Sequence, residues 1–153
     1  TEKYSRVKFV PDYTYITINS KKFLFVGGAI SIDRKLPNTV PGVDYWEDEV
    51  FVLPPNLDTL DTCQVLITHS TSDATPPFGG IGHLKYFTDM DPALITDLPE
   101  ERRKIGLMVD KVQPSLHLYG HFHQYHTFKT ETCEHYALNI TQLLDITNKI
   151  EKL

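Results

Sequence analysis

The chain has 153 residues, of which 41% are hydrophobic, 11% aromatic and 23% charged, with a net charge of -5. That length suits one domain with a real core, and that composition argues against a disordered chain. No apolar run approaches the length that spans a bilayer, no signal peptide is recognisable, and interspersed charges leave nucleic acid unsupported, though not excluded, as a partner.

Cys63 and Cys133 have neither metal-binding nor disulfide spacing, the usage expected of two reduced thiols in a cytoplasmic protein. The first residue is Thr1 rather than methionine, as expected of a processed, tagged or excised chain. In chain order, "YTYITINSKKFLFVGG" predicts a hairpin, with β-branched and aromatic runs on either side of a turn at Asn19-Ser20-Lys21-Lys22. Gly27 and Gly28 lack the rest of a phosphate-loop fingerprint and serve tight packing. "VLITH", Val65 to His69, is a continuous apolar run, as in a strand covered on both faces.

After a long connection, "LPEERRKIGLMVDKVQP" sets Ile105, Met108, Val109 and Val112 at helical spacing, with Pro99 in the first turn and Pro114 as the stop. "SLHLYGH" is a second strand, so the unit is βαβ with parallel strands whose carboxyl ends share one sheet edge. His69 closes the first strand and His121 follows the second, which brings them together where open α/β sheets keep their sites. The tail "YHTFKTETCEHYALNIT" predicts a further hairpin around Glu131-Thr132.

Four of the seven histidines fall between His117 and His126. His121 and His123, two apart in an extended segment, have Cα atoms roughly 7 Å apart and can face one side. That spacing suits one ligand for each of two ions about 3.5–4 Å from each other, and equally suits two loop histidines without a function. His117 lies inside the apolar run and reads as a core or supporting histidine, while His83, His126 and His135 have weaker claims.

"ITHS" at 67–70 followed by "YGHFH" at 119–123 resembles the last two metal-binding motifs of the calcineurin-like metallophosphoesterases. "FLFVGGAISIDR" at 23–34 with Trp46-Glu47 is similar to their bacterial and phage-type branch. The resemblance implies an α/β (α+β) fold, the carboxyl-terminal part of a layered α-β-β-α sandwich with mixed sheets. It further implies hydrolysis of phosphomonoesters or phosphodiesters by two divalent transition metal ions, manganese, iron, zinc or nickel. His69 and His121 would share one ion, and His123 would serve the other.

The family's D-x-H, G-D and G-N-H motifs are absent, and no histidine precedes His69. The chain is therefore expected to supply about half of a site, completed by an upstream segment or a partner chain, and self-association is a further expectation. Arg34 can bind a substrate phosphate or brace its loop through an ion pair with a carboxylate, and Asp33 suits the structural role. Trp46 and Glu47 suit a cleft wall, with packing the alternative for the tryptophan; Asp73 suits a turn cap or a ligand-orienting role. The rival functions are a scaffold that keeps the phosphoesterase architecture without catalysis, and a mononuclear binder using His69, His121 and His123.

Overall fold

A tight hairpin opens the fold: β1 (Thr14–Ile18) and β2 (Lys21–Val26) pair antiparallel, with Ile18 opposite Lys21. The coordinates come from a computed structural model and describe residues 9–78 and 84–153. The hairpin turn is shorter than the sequence suggested. Only Asn19 and Ser20 form it, with φ of 49° and 63°, the pair of left-handed residues that matches the twist of the flanking strands. Lys21 and Lys22 belong to β2.

β2 runs parallel to β3 (Val65–Thr68), β3 parallel to β4 (Leu116–Tyr119), and β4 parallel to β6 (Glu134–Ala137). β5 (His126–Lys129) closes the far edge antiparallel to β6, giving one mixed sheet of order β1-β2-β3-β4-β6-β5. The class is mixed α/β, as expected. Among the described residues the sheet is single; the second sheet of a layered sandwich is not formed there.

α2 (Leu94–Val112) is the crossover between β3 and β4, and α1 (Lys85–Met90) precedes it. The helix starts a turn earlier than predicted, because Asp91 Oδ1 accepts the Ala93 N–H at 3.2 Å and Pro92 suits the entry. Pro99 therefore lies inside the helix rather than in its first turn. At the other end Gln113 takes a left-handed φ of 47°, its N–H bonds the Val109 carbonyl, and Pro114 prevents continuation.

Adjacent residues of each strand point to opposite faces, so Phe23 and Leu24 enter different cores. On one face Leu24, Val26 and Leu66 meet Ile105, Met108 and Val112 of α2. On the other, Phe23, Val65, Leu116 and Leu118 are covered by Leu144, Ile146 and Ile150 of the carboxyl-terminal segment, which includes the short α3 (Thr147–Ile150). Each such fully buried aliphatic side chain stabilises the fold by about 1.5–3 kcal/mol. Among the described residues no helix is long and apolar enough to cross a membrane.

His117 is completely buried on the α2 face of β4, directly across from His135 of β6. Burial first, then the neighbouring His135, pushes the His117 pKa down to about 3. The folded value lies below the ordinary histidine value of about 6.5, so between the two the unfolded chain binds a proton that the folded chain refuses. Stability present above about pH 6.5 is thus lost as pH falls toward 3, by up to about 1.4 kcal/mol per unit for this one group. Urea midpoints measured from pH 7 to pH 5 should fall, and fall less steeply in His117→Gln, whose amide cannot titrate. Equal slopes would show that His117 does not resist protonation in the folded chain.

Candidate metal centre

His69 is the first residue beyond β3, and Gly120 the first beyond β4. The register sets Leu66 beside His117 and Ile67 beside Leu118, which carries His69 level with Gly120. A hydrogen bond from the Gly120 N–H to the His69 carbonyl, 3.0 Å, fastens the two chain exits together. The Phe122 N–H then donates to the Gly120 carbonyl at 2.8 Å across His121, whose φ is 68°. This is a γ-turn of the strained, left-handed kind, rare for a side-chain-bearing residue. His123 is left-handed as well, at 52°. Two consecutive reversals replace the extended segment that the sequence suggested for His121 and His123.

The result is a close histidine pair: the rings of His69 and His121 have centroids 5.1 Å apart at 66°. His123 stands near enough for its charge to act on both. Burial, followed by the His69 and His123 charges, pushes the His121 pKa down to about 4, against the opposing pull of Asp33. His69 is lowered too, by burial first, while Glu49 pulls it up. At neutral pH His69 and His121 therefore keep their lone pairs, the form a metal requires.

Two imidazoles that share one ion, each nitrogen about 2.0–2.1 Å from it, have ring centroids roughly 5 Å apart, so the observed pair fits a common ion. The fit stops at this pair. Among the described residues no group of three or more His, Cys, Asp or Glu side chains is arranged to hold a metal.

Arg34 lines the cavity bordered by Glu49 and Trp46 and is ion-paired there. Its Nε and Nη2 each donate at 2.6 Å, to Asp91 and Asp97 respectively, which ties the loop after β2 to the start of α2. That is the bracing arrangement; both arms of the fork meet carboxylates. Asp33 lies within electrostatic reach of His121. Trp46 is 52% exposed rather than a packing anchor, and with Tyr45, Glu47 and Lys35 it lines an open cavity of about 290 Å³. Asp73 faces α2, where a Cβ on Gly106 would stand 3.5 Å from its Oδ1. Exposed His126 meets Gln124 Oε1, at 3.0 Å, and His83 lies outside the described residues.

Two carboxylates escaped the sequence reading. Glu49 borders the cavity, accepts a hydrogen bond from Ser31 and acts on His69. Gly28 makes this possible: at φ 92° any Cβ would lie 2.7 Å from the Phe51 backbone, so only glycine lets residues 49–51 approach so closely. The second, Glu101 of α2, is 4% exposed beneath the same loops, beside Ser70 and the backbone of Ile30 and Phe51. Its Oε2 has no hydrogen-bond partner among the described residues, and burial raises its pKa. Glu49 is two residues from the Trp46-Glu47 pair, the nearest signal available; Glu101, inside a charged helix run, had none.

No protein-family model matches the chain, and no curated protein matches it.

Proposed function

We propose that this chain contributes part of a dinuclear metal site for phosphoester hydrolysis. The observation that carries the reading is the His69–His121 pair, 5.1 Å apart at the carboxyl ends of adjacent parallel strands. The motif resemblance supports it, and so does the strain stored at His121, because unfavourable backbone is retained where the surrounding structure and a task require it. His69 and His121 would hold one ion and His123 its neighbour, with manganese, iron, zinc and nickel all compatible with imidazole donors.

When bound, such ions supply Lewis acidity toward phosphoryl oxygens and lower the pKa of water. The chain's own part is to present neutral nitrogens in a fixed arrangement and to hold an acidic group, Glu49, beside them. The cavity that shares Glu49 and is walled by Trp46, Tyr45 and Lys35 would receive the organic part of the ester. We place the protein in the cytoplasm, supported by two free, buried thiols.

The test is a titration with manganese, zinc and cobalt, reading stoichiometry alongside hydrolysis of an aryl phosphate and an aryl phosphodiester. Two equivalents with turnover once the site is completed are expected. One equivalent without turnover under any completion would make the chain a mononuclear binder, and no binding at all a scaffold.

A further inference from the structure

A buried chain of hydrogen bonds runs from the sheet interior to the turn that carries His69, and its direction can be assigned. The Thr68 hydroxyl donates to the Ser70 carbonyl, which leaves its oxygen free only to accept. His117 Nε2, 2.8 Å from that oxygen, must therefore carry the proton. His117 Nδ1 is then an acceptor, and the proton of the 3.3 Å contact with His135 Nδ1 belongs to His135. Every member is buried: Thr68 is 7% exposed, Ser70 1%, His117 0% and His135 3%. The residue before His69 thus bonds the residue after it, while the side chain of Ser70 faces Glu101 on α2.

We propose that this directed chain, His135 to His117 to Thr68 to Ser70, positions His69, with Thr68 as the residue that transmits the order of the core to the site. The Thr68–Ser70 hydrogen bond closes across His69, and the His69 carbonyl accepts from the Gly120 N–H. Outer residues that orient a ligating histidine commonly change metal affinity by roughly 10- to 100-fold. In this site the constraint acts through the backbone rather than on the ring, so the lower end is expected. The functional half of the proposal rests on the metal-site reading above; the structural half does not.

The experiment pairs imidazole nitrogen NMR of the metal-free chain with cobalt(II) binding, in the wild type, Thr68→Val and Thr68→Ser. The wild type should show His117 protonated on Nε2. Thr68→Val should displace the His69 ring signals, weaken cobalt binding about 10-fold and alter the visible cobalt spectrum. Thr68→Ser, which keeps the hydroxyl, should restore all three. A folded Thr68→Val variant with wild-type His69 signals and wild-type cobalt affinity overturns the proposal. If that variant does not fold, the wild-type spectrum decides, since a His117 protonated on Nδ1 contradicts the assigned order. Should the wild type bind no cobalt, the metal reading fails, and the His69 signals of Thr68→Val still decide the positioning role.

Discussion

Replacing His121 by alanine is expected to abolish binding at one metal position while leaving the fold nearly as stable as before. The side chain sits beyond the end of β4, half-buried, and makes ring contacts with His69 and Phe122 rather than filling either core. Truncation there removes little apolar burial, and alanine at φ 68° is no better placed than histidine, so the change in stability should stay within about 1 kcal/mol. Loss of affinity should be roughly 100-fold or greater, because removal of even a group behind a ligand costs up to that much. Metal content and thermal unfolding should be measured on the same samples. His126→Ala is the matched control, an exposed histidine hydrogen-bonded to Gln124. Unchanged stoichiometry in His121→Ala would remove His121 from the ligand set and, with it, the argument from the close pair.

The parts of this fold that were legible in the sequence are those specified by local chemistry. "VLIT" has no polar alternation because both faces of β3 are covered, and that signal survives without knowledge of what covers them. Ile105, Met108 and Val112 announced the buried stripe of α2, and parallel pairing of its flanking strands followed from the crossover. Non-local features were not legible. β6 returns between β4 and β5, and only that insertion brings His135 beside His117; nothing in either strand names its neighbour.

Backbone detail was similarly hidden. Asn19-Ser20 is not the Asn-Gly pair that marks a two-residue hairpin turn, so the turn looked longer than it is. G-H-x-H showed the residue types but not that His121 and His123 both adopt positive φ, in a strand exit whose His121 ring meets that of His69. Glu101 belongs to a run, "PEERRK", that reads as a solvated helix face, yet the loops carrying Ile30, Phe51 and Ser70 fold over it. A helix wheel cannot anticipate a loop that closes from a distant part of the chain.

On the proposed dinuclear reading, the largest effect should come from completing the site. A dinuclear hydrolase needs a bridging carboxylate and several donors on each ion, whereas among the described residues the acidic groups whose charge acts on His69 and His121 are Glu49 and Asp33. Glu49 is already bonded to Ser31, and no histidine precedes His69. The 153-residue chain alone is therefore expected to bind manganese, nickel or zinc weakly and to hydrolyse an aryl phosphate poorly. Addition of a segment bearing the D-x-H, G-D and G-N-H motifs, joined ahead of Thr1 or supplied as a separate chain, should restore two-metal binding. Turnover should rise by on the order of 10²–10³-fold or more, since even one well-placed group that stabilises transition-state charge is worth that much. Among the described residues β1 is an edge strand with Ile18 42% exposed, where such a segment or a second copy could pair. Sedimentation of the short and extended chains should accompany the assay, with self-association expected to diminish as the site is completed. If the short chain matches the extended one in rate, the half-site reading is wrong and some of the unassigned aspartates must be ligands.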